Sequence, residues 1–366
     1  MVYTSTCMRA ADNVFVGIPG PELDARTSAL LAEHQPGGIV LFGRNIKEPE
    51  QLQELVTALR RVLPEAILAI DAEGGRVDRL KDIVGPAPAG SVLAAHPPSL
   101  ALQAGTWVAH SLRLFDIDMS FAPVADLNRG ETDNALDGRY LGSRPADVTA
   151  RARAFLRGLH AGGAGGCLKH FPGLGGAAQD THFKVSVVYL SEGALRADLD
   201  PFEALIRLSG AVMVSHAIYP AYDEEKRPAT MSPPILGGLL RGRLHFDGVA
   251  FTDDLEMKAL DEWGDLPQRA EQCFASGCDI LVFGQGLEAL PEVVARLEVP
   301  ALEERLHEAH RRLETYRQRL RTLRTGRDYV AMMRTGPGER LETIRQTLAQ
   351  IQENVEKDRQ EKEEKA

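Results

Sequence analysis

Gly248-Val-Ala-Phe-Thr-Asp-Asp-Leu255 is a short apolar run that ends in two carboxylates. Its length and its apolar side chains predict a parallel strand that is buried on both faces. Because successive strand residues face opposite sides, we expect one of Asp253 and Asp254 to point into the mouth of a barrel and the other away. The alternation does not say which. An aspartate pair that caps the following helix explains the motif equally well.

The same kind of run recurs along the chain, with helical patterns between the runs. We predict eight strands, at residues 13–19, 37–43, 66–71, 117–123, 165–172, 211–216, 248–253 and 279–284. The helical patterns cover residues 22–33, 48–62, 99–114, 146–161, 192–208, 234–244, 258–276 and 287–297. Eight strands that alternate with eight helices predict an α/β fold, a (β/α)8 TIM-type barrel. A doubly wound open sheet is the alternative, since such a count easily misses or invents one strand.

Polar side chains at the strand ends favour the barrel. Several predicted strands end in, or run directly into, residues that can carry chemistry: Asp71, Asp126, Lys169, His170, His216 and Asp253. Barrel enzymes keep their active sites at the C-terminal ends of the strands. An open sheet would not bring so many strand ends to one point, so we expect these residues to surround a single site.

Residues 169–182 form the most informative loop, with the sequence Lys-His-Phe-Pro-Gly-Leu-Gly-Gly-Ala-Ala-Gln-Asp-Thr-His. Asp180 lies two residues before His182. A carboxylate beside an imidazole can orient the ring and stabilise its protonated form, as a general acid/base requires. The glycines lack the Lys-Ser/Thr of a phosphate-binding loop. A mobile loop that carries His182 in and out of the site explains them better.

The composition bounds the class of protein. The chain has 366 residues, is 44% hydrophobic and carries a formal net charge of −10, which is unlike the basic footprint of a nucleic-acid-binding protein. No apolar run approaches the ~18 residues of a membrane span, and the first residues lack the apolar stretch of a signal peptide. We therefore expect a soluble cytoplasmic protein that binds a small molecule, and neither nucleic acid nor membrane.

The chain after the eighth helix is also predicted to be helical. A helix after Leu302 is expected to pack on the barrel, so the barrel unit is assigned to residues 1–330 and a charged helical tail to residues 331–366. The tail either lies on its own barrel or joins a partner, which would give a monomer or a weak homo-oligomer. Its apolar residues form a seam of about two heptads, too short for a convincing coiled coil: Leu341, Ile344, Leu348, Ile351 and Val355.

Several ordered motifs together resemble glycoside hydrolase family 3, specifically its single-domain bacterial β-N-acetylhexosaminidases. The resemblance covers the barrel from about Asn13 to Leu297 and implies a (β/α)8 fold. The pairing of Lys169-His-Phe-Pro-Gly173 with Asp180-Thr-His182 separates these enzymes from the larger β-glucosidases of the family, which carry their acid/base on a second domain. The other motifs are Gly38-Ile-Val-Leu-Phe-Gly-Arg-Asn45, Asp71-Ala-Glu-Gly-Gly-Arg76, Phe121-Ala-Pro-Val-Ala-Asp126, Ser215-His-Ala-Ile-Tyr-Pro220 and Phe246-Asp-Gly-Val-Ala-Phe-Thr-Asp-Asp-Leu255.

The resemblance implies a role for each site residue. Asp253 matches the family's nucleophile, His182 its general acid/base, and Asp180 the acid that orients and tunes that histidine. No cofactor and no metal are implied. Leu174 departs from the family pattern, because many members have histidine there. The positions that hold the sugar match Asp71, Arg79, Arg139, Lys169 and His170.

The implied reaction is the retaining hydrolysis of β-linked N-acetylglucosamine, with cell-wall muropeptide fragments as the substrate class. Retaining glycosidases usually employ two carboxylates. A neutral imidazole in place of one carboxylate repels an incoming anion less, so a β-glycoside phosphorylase is an alternative, as is a β-glucosidase. A non-catalytic sugar-binding protein and a metal-dependent barrel hydrolase also stay open. The candidate metal ligands are His170, His182, His216, Asp253 and Asp254.

Overall fold

A computed structural model describes residues 9–130, 136–177, 186–325 and 336–364. Eleven strands occur in these residues, and nine of them belong to one main sheet. The remaining two, β4 and β5, pair as a separate antiparallel hairpin. The strands are β1 (Val14–Gly17), β2 (Gly38–Leu41), β3 (Ile67–Ile70), β4 (Ala72–Gly74), β5 (Val77–Asp78), β6 (Met119–Ser120), β7 (Gly165–Gly166), β8 (Leu168–Phe171), β9 (Ala211–Val214), β10 (Val249–Asp254) and β11 (Ile280–Phe283).

The main sheet is parallel and closes on itself. Its strands follow the order β7-β6-β3-β2-β1-β11-β10-β9-β8. The two outer strands of this order, β7 and β8, are separated in the chain only by Cys167. Counted as one strand, they are the fifth of eight, and each of the eight overlaps its predicted segment. The predicted (β/α)8 barrel is therefore confirmed, and the open sheet is wrong.

Helices follow most strands and cover the outside of the barrel. They are α1 (Ala25–His34), α2 (Pro49–Val62), α3 (Lys81–Val84), α4 (Gly90–Ala94), α5 (Pro98–Leu114), α6 (Pro145–Ala161), α7 (Glu192–Ser209), α8 (Leu266–Ser276), α9 (Leu290–Leu297), α10 (Glu303–Leu323) and α11 (Pro337–Glu364), with a π-helix at Pro234–Arg243. Short 3₁₀ turns occur at Ala10–Asn13, Gly43–Asn45, Ala229–Met231, Lys258–Trp263, Leu287–Ala289 and Pro300–Leu302. None of the described helices combines the length and the apolar character that a membrane crossing needs.

The predicted helix at residues 258–276 is divided in two. Gly264 adopts a φ of +104°, which a helix does not allow, and separates the 3₁₀ turn from α8. Asp265 then starts α8, because its side chain accepts a hydrogen bond from the backbone N–H of Gln268. The glutamine side chain in turn accepts from the backbone N–H of Asp265, which completes a capping box.

The inside of the barrel is a packed core. Phe251 of β10 lies between Phe15 and Phe121, with ring centroids 5.3 and 5.6 Å apart and edge-to-face geometry. Such aromatic pairs are more stable than their buried area alone would suggest. The strands approach each other so closely that a Cβ atom at Gly38 would lie 2.4 Å from the ring of Phe15. Side chains fill the barrel, so a ligand can bind at its ends and not along its axis.

Helix α10 packs beneath the N-terminal ends of the strands, as the apolar pattern after Leu302 predicts. Leu313, Tyr316 and Leu320 are buried and join the core inside the barrel. The hydroxyl of Tyr316 donates to the carbonyl oxygen of Gly166 at 3.3 Å. The polar strand ends lie at the opposite mouth of the barrel.

Helix α11 carries the apolar seam of the tail and lies on α5 of the same chain. Ile344, Leu348 and Ile351 are buried in the main core. The indole N–H of Trp107 donates to the carbonyl oxygen of Ile344 at 2.8 Å. Of the two alternatives for this seam, the described residues show the packing of the tail on its own barrel.

Candidate active site

A cavity of about 310 Å³ opens at the C-terminal ends of the strands. Its walls bring together six predicted site residues from strands and loops that are far apart in the sequence: Asp71, Arg79, Arg139, Lys169, His170 and Asp253. The predicted acid/base pair, Asp180 and His182, lies outside the described residues. Arg76 and Asp254 add two further charged side chains to the lining. The remaining described lining is apolar: Val40, Val77, Phe42, Phe121, Leu174, Met213 and Val282. The cavity therefore offers charged groups for hydroxyls and apolar surface for a sugar ring in one place.

Both aspartates at the end of β10 line the cavity, so the expectation that only one of them faces the mouth is wrong. The pairing of β10 with β11 shifts register between Phe251 and Asp254, and strict alternation fails at such an irregularity. Asp254 also accepts a hydrogen bond from the backbone N–H of Glu256 at 3.0 Å. This contact is not a helix cap, because the following 3₁₀ turn has Met257 as its N-cap and receives no capping hydrogen bond from a side chain, so the capping alternative is wrong. The backbone N–H of Asp254 donates to Asp253 at 2.9 Å.

Asp71 is an ion-paired carboxylate at the edge of the cavity. Lys169 Nζ donates to its Oδ1 at 2.9 Å, and Arg79 Nη2 lies 3.3 Å from its Oδ2. Burial by itself would raise the pKa of Asp71, but the positive charges of Lys169 and Arg79 outweigh burial and hold the pKa well below its usual range. Asp71 is therefore a permanent acceptor at neutral pH, which suits a sugar hydroxyl.

Glu73 is a site residue that the sequence analysis missed. Its carboxylate accepts two hydrogen bonds from Arg139, at 2.7 and 2.8 Å, and lies 2.6 Å from Lys169 Nζ. Burial opposes its charge, but the charges of Arg139 and Lys169 outweigh that effect and lower the pKa of Glu73. The spacing Asp71-x-Glu73 could have predicted that Glu73 lies on the same side of the chain as Asp71, because residues two apart in an extended chain face the same side.

Asp126 orients His170 and the start of the glycine-rich loop. Its Oδ2 lies 2.7 Å from His170 Nδ1, and its Oδ1 accepts from the backbone N–H of Leu174 at 2.7 Å. The Leu174 contact uses the backbone alone, so it does not depend on whether leucine or histidine occupies this position. The leucine side chain adds apolar surface to the cavity instead.

The end of β10 contains a carboxyl group that titrates near neutrality. Burial raises the pKa of Asp254 to about 7, and the charges of Glu256 and Asp253 act in the same direction. His216 supports this segment, since its Nε2 lies 3.0 Å from the carbonyl oxygen of Asp254 and its Nδ1 lies 2.9 Å from Thr230 Oγ1. Burial lowers the pKa of His216, so the ring acts as a neutral support for the backbone.

The alternative of a metal-dependent hydrolase gains no support from the described residues. Within them, no three histidine, cysteine or acidic side chains come together as a metal-binding group. Both ring nitrogens of His216 already have protein partners, and His170 Nδ1 is paired with Asp126.

The chain belongs to glycosyl hydrolase family 3, because the pattern for the N-terminal domain of that family matches residues 12–316. The resemblance inferred from the motifs is therefore confirmed, and the protein is a glycosidase. A β-hexosaminidase from Alkalilimnicola ehrlichii is 38% identical over 300 residues, which cover 78% of this chain and 84% of that protein. Another, from Pseudomonas aeruginosa, is 37% identical over 294 residues, or 80% of this chain and 86% of that protein.

Solved structures of similar proteins share the fold of this chain. Native NagZ from Neisseria gonorrhoeae superimposes with a TM-score of 0.75 at 29% identity, covering 93% of this chain and 97% of that one. A family 3 β-N-acetylglucosaminidase from Paenibacillus sp. str. FPU-7 has a TM-score of 0.81 at 30% identity, covering 93% of this chain and 68% of that one.

Proposed function

We propose that the protein is a retaining exo-β-N-acetylglucosaminidase, which releases terminal N-acetylglucosamine from β-glycosides through a covalent glycosyl-aspartate. One observation carries the proposal: Asp253 shares a cavity with the ion-paired cluster around Asp71 and Lys169. A carboxylate nucleophile and a set of hydroxyl-binding groups in one pocket are what this reaction needs. The names of the similar β-hexosaminidases support the same choice.

In this mechanism Asp253 attacks the anomeric carbon while His182 protonates the departing glycosidic oxygen. The bond to the aglycone breaks and an ester to Asp253 forms. His182 then removes a proton from water, which attacks the same carbon and releases the aspartate. Two inversions leave the product in the β-configuration. Asp180 orients His182 and stabilises its protonated form.

The sugar is held by the remaining cavity residues. Asp71 accepts from a hydroxyl, and the cations donate to hydroxyl oxygens. Charged partners make stronger hydrogen bonds than neutral ones, and a polar site that is built for hydroxyls rejects a ligand that lacks them. In this proposal the donors are Arg79, Arg139 and Lys169, and His170 accepts from a hydroxyl through Nε2.

The natural substrates follow from the family resemblance. We propose soluble muropeptide fragments that carry β-linked N-acetylglucosamine, cleaved in the cytoplasm by a monomer or weak homo-oligomer. Residues 1–330, which include the packed helix α10, would form the catalytic barrel unit. Residues 331–366 would form the charged helical tail. No cofactor, metal, nucleic acid or membrane takes part in the proposal.

The test compares the hydrolysis of p-nitrophenyl β-N-acetylglucosaminide with that of the β-glucoside. Wild type is expected to prefer the first, and Asp253→Asn and His182→Ala are expected to lose activity, the former by at least about 10³-fold because the nucleophile is gone. The matched control is Asp247→Asn, since Asp247 is an exposed aspartate that pairs with Arg311 and Arg312 away from the cavity. Proton NMR should detect the β-anomer first. Full activity in Asp253→Asn, or release of the α-anomer, would refute the proposal.

A further inference from the structure

Glu73 lies at the centre of the charge cluster beside the cavity. Arg139 donates from Nε to Oε2 and from Nη2 to Oε1, at 2.8 and 2.7 Å, which is the two-pronged arrangement that a guanidinium forms with a carboxylate. Lys169 Nζ lies 2.6 Å from Oε1. Arg139 and Lys169 line the cavity, and Glu73 is not among the described residues that do so. Glu73 therefore contacts the ligand-binding cations from behind.

One carboxylate thus connects three separate parts of the chain. Glu73 is on β4, Lys169 is on β8, and Arg139 is in the segment that precedes α6. This last segment is also attached to the hairpin by Arg76, whose Nε donates to the carbonyl oxygen of Asp137 at 3.1 Å. The side chain of Glu73 is only 5% exposed, so few alternative partners from solvent can replace these contacts.

The charges explain why Glu73 matters to Asp71. Lys169 and Arg139 are buried cations, and each disfavours the charge of the other. Glu73 and Asp71 together raise the pKa of Lys169 against the effect of burial. If Glu73 were neutral, Asp71 would remain ion-paired with Lys169 and Arg79, and its charge would also attract Arg139. Its oxygens would then be drawn into the protein network and away from a ligand.

We propose that Glu73 is a positioning residue of the active site: it holds Arg139 and Lys169 in the directions that a sugar needs and leaves Asp71 available to a hydroxyl. The inference rests on the proposed function in so far as the ligand is a sugar. Glu73 touches neither substrate nor reacting atoms in this proposal. Its effect passes through the side chains that it holds.

The test is steady-state kinetics of the full chain with p-nitrophenyl β-N-acetylglucosaminide and its 3-, 4- and 6-deoxy analogues. Glu73→Gln keeps the size of the side chain and removes its charge. Its KM is expected to rise by about ten- to hundredfold, the effect of losing hydrogen bonds to charged groups. The value of kcat should change far less, because contacts with unreactive hydroxyls form in both the ground and the transition state.

The deoxy substrates separate positioning from a general structural effect. The kcat/KM of wild type should fall when a recognised hydroxyl is removed from the substrate. The kcat/KM of Glu73→Gln should fall much less, because Arg139 and Lys169 are already misdirected in this variant. The matched control is Asp78→Asn on β5 of the same hairpin. Asp78 is 2% exposed and accepts from the backbone N–H groups of Leu80 and Ala87. This variant should keep the wild-type KM and the wild-type response to the deoxy sugars.

Several outcomes would overturn the inference while leaving the proposed function intact. One is a Glu73→Gln enzyme with wild-type KM, and another is an equal rise of KM in Asp78→Asn. If Glu73→Gln does not fold, Glu73→Asp takes its place, because it keeps the charge and withdraws it by one methylene. An unchanged response of Glu73→Asp to the deoxy sugars would likewise overturn the inference. Failure of the wild type to cleave the N-acetylglucosaminide would instead refute the proposed function.

Discussion

Asp126 holds the ring of His170 through a contact of 2.7 Å between Oδ2 and Nδ1. The same carboxylate accepts the backbone N–H groups of His170, at 3.1 Å, and of Leu174, at 2.7 Å. Since backbone N–H groups converge on it, Asp126 acts as an acceptor, and we assign the ring hydrogen to Nδ1. Nε2 is then the nitrogen that is presented to a ligand. One buried carboxylate thereby sets both the orientation and the tautomer of a cavity residue.

Replacing Asp126 by asparagine should impair catalysis more than its small change in size suggests. The new amide group would direct an N–H toward one of the donors that now converge on the carboxylate. We expect kcat/KM to fall about ten- to hundredfold, which corresponds to the loss of hydrogen bonds to a charged group. Kinetics of Asp126→Asn with p-nitrophenyl β-N-acetylglucosaminide measure the effect. A value within twofold of wild type would contradict the orienting role.

Asp118 provides the matching control at the opposite end of the barrel. It is a buried carboxylate paired with Arg60 at 2.7 Å, with Arg113 at 3.3 Å and also with Arg324. Breaking such a buried pair leaves uncompensated charge, so Asp118→Asn should lower the free energy of unfolding by about 3–5 kcal/mol. Urea denaturation would measure this loss. KM at a temperature where the variant is folded should equal that of wild type, and a raised KM would show that the two ends of the barrel are coupled.

Stability should depend on pH through Asp78. Burial raises the pKa of Asp78 from 3.8 to about 6. Between these values the native state keeps a proton that the unfolded chain has released, so the contribution of this group is full at low pH and is lost as pH rises through about 6. From about pH 4 to pH 8, wild type should lose on the order of 3 kcal/mol relative to Asp78→Asn. Urea denaturation at both pH values tests the sign, and a relative gain by wild type would contradict it.

The tail helix should contribute to the stability of the barrel. Leu348 is 5% exposed, and a Cβ atom at Gly85 would lie only 2.4 Å from it, so the two surfaces are in close contact. Leu348→Ala should lower the free energy of unfolding by about 2–5 kcal/mol. The exposed neighbour Gln346 serves as the control, and Gln346→Ala should change it by no more than about 0.5 kcal/mol. Unfolding can be monitored by the fluorescence of Trp107. Equal effects of the two substitutions on the free energy of unfolding would show that the seam does not pack on the barrel.

Local patterns were sufficient for most of the fold. Most barrel strands are buried and largely apolar, and such runs are recognisable without knowledge of their neighbours. The hairpin of β4 and β5 is not predictable in this way, because its two strands have three and two residues and carry charged side chains. The division at Gly264 was missed because a single positive φ interrupts an otherwise helical pattern.

The site was partly predictable for a similar reason. Strand ends meet at one mouth of any parallel barrel, so the position of Asp253 or Lys169 in the sequence already indicates where its side chain belongs. The contact of Glu73 with Arg139 joins residues 66 positions apart, and no local pattern contains that information. Asp253 and Asp254 both line the cavity, at a point where the pairing of β10 with β11 shifts register. The strand pattern in the sequence does not show this shift.

Strand periodicity and motif order are properties of the chain alone, and they were enough to predict the barrel, the family and most residues around the mouth. Which charges pair became known from the folded structure. It showed that Glu73 compensates Arg139 and Lys169, that Asp126 orients His170, and that the seam of α11 is buried on α5. The physical reason is that ion pairing and burial depend on distances across the fold, which spacing along the chain does not contain.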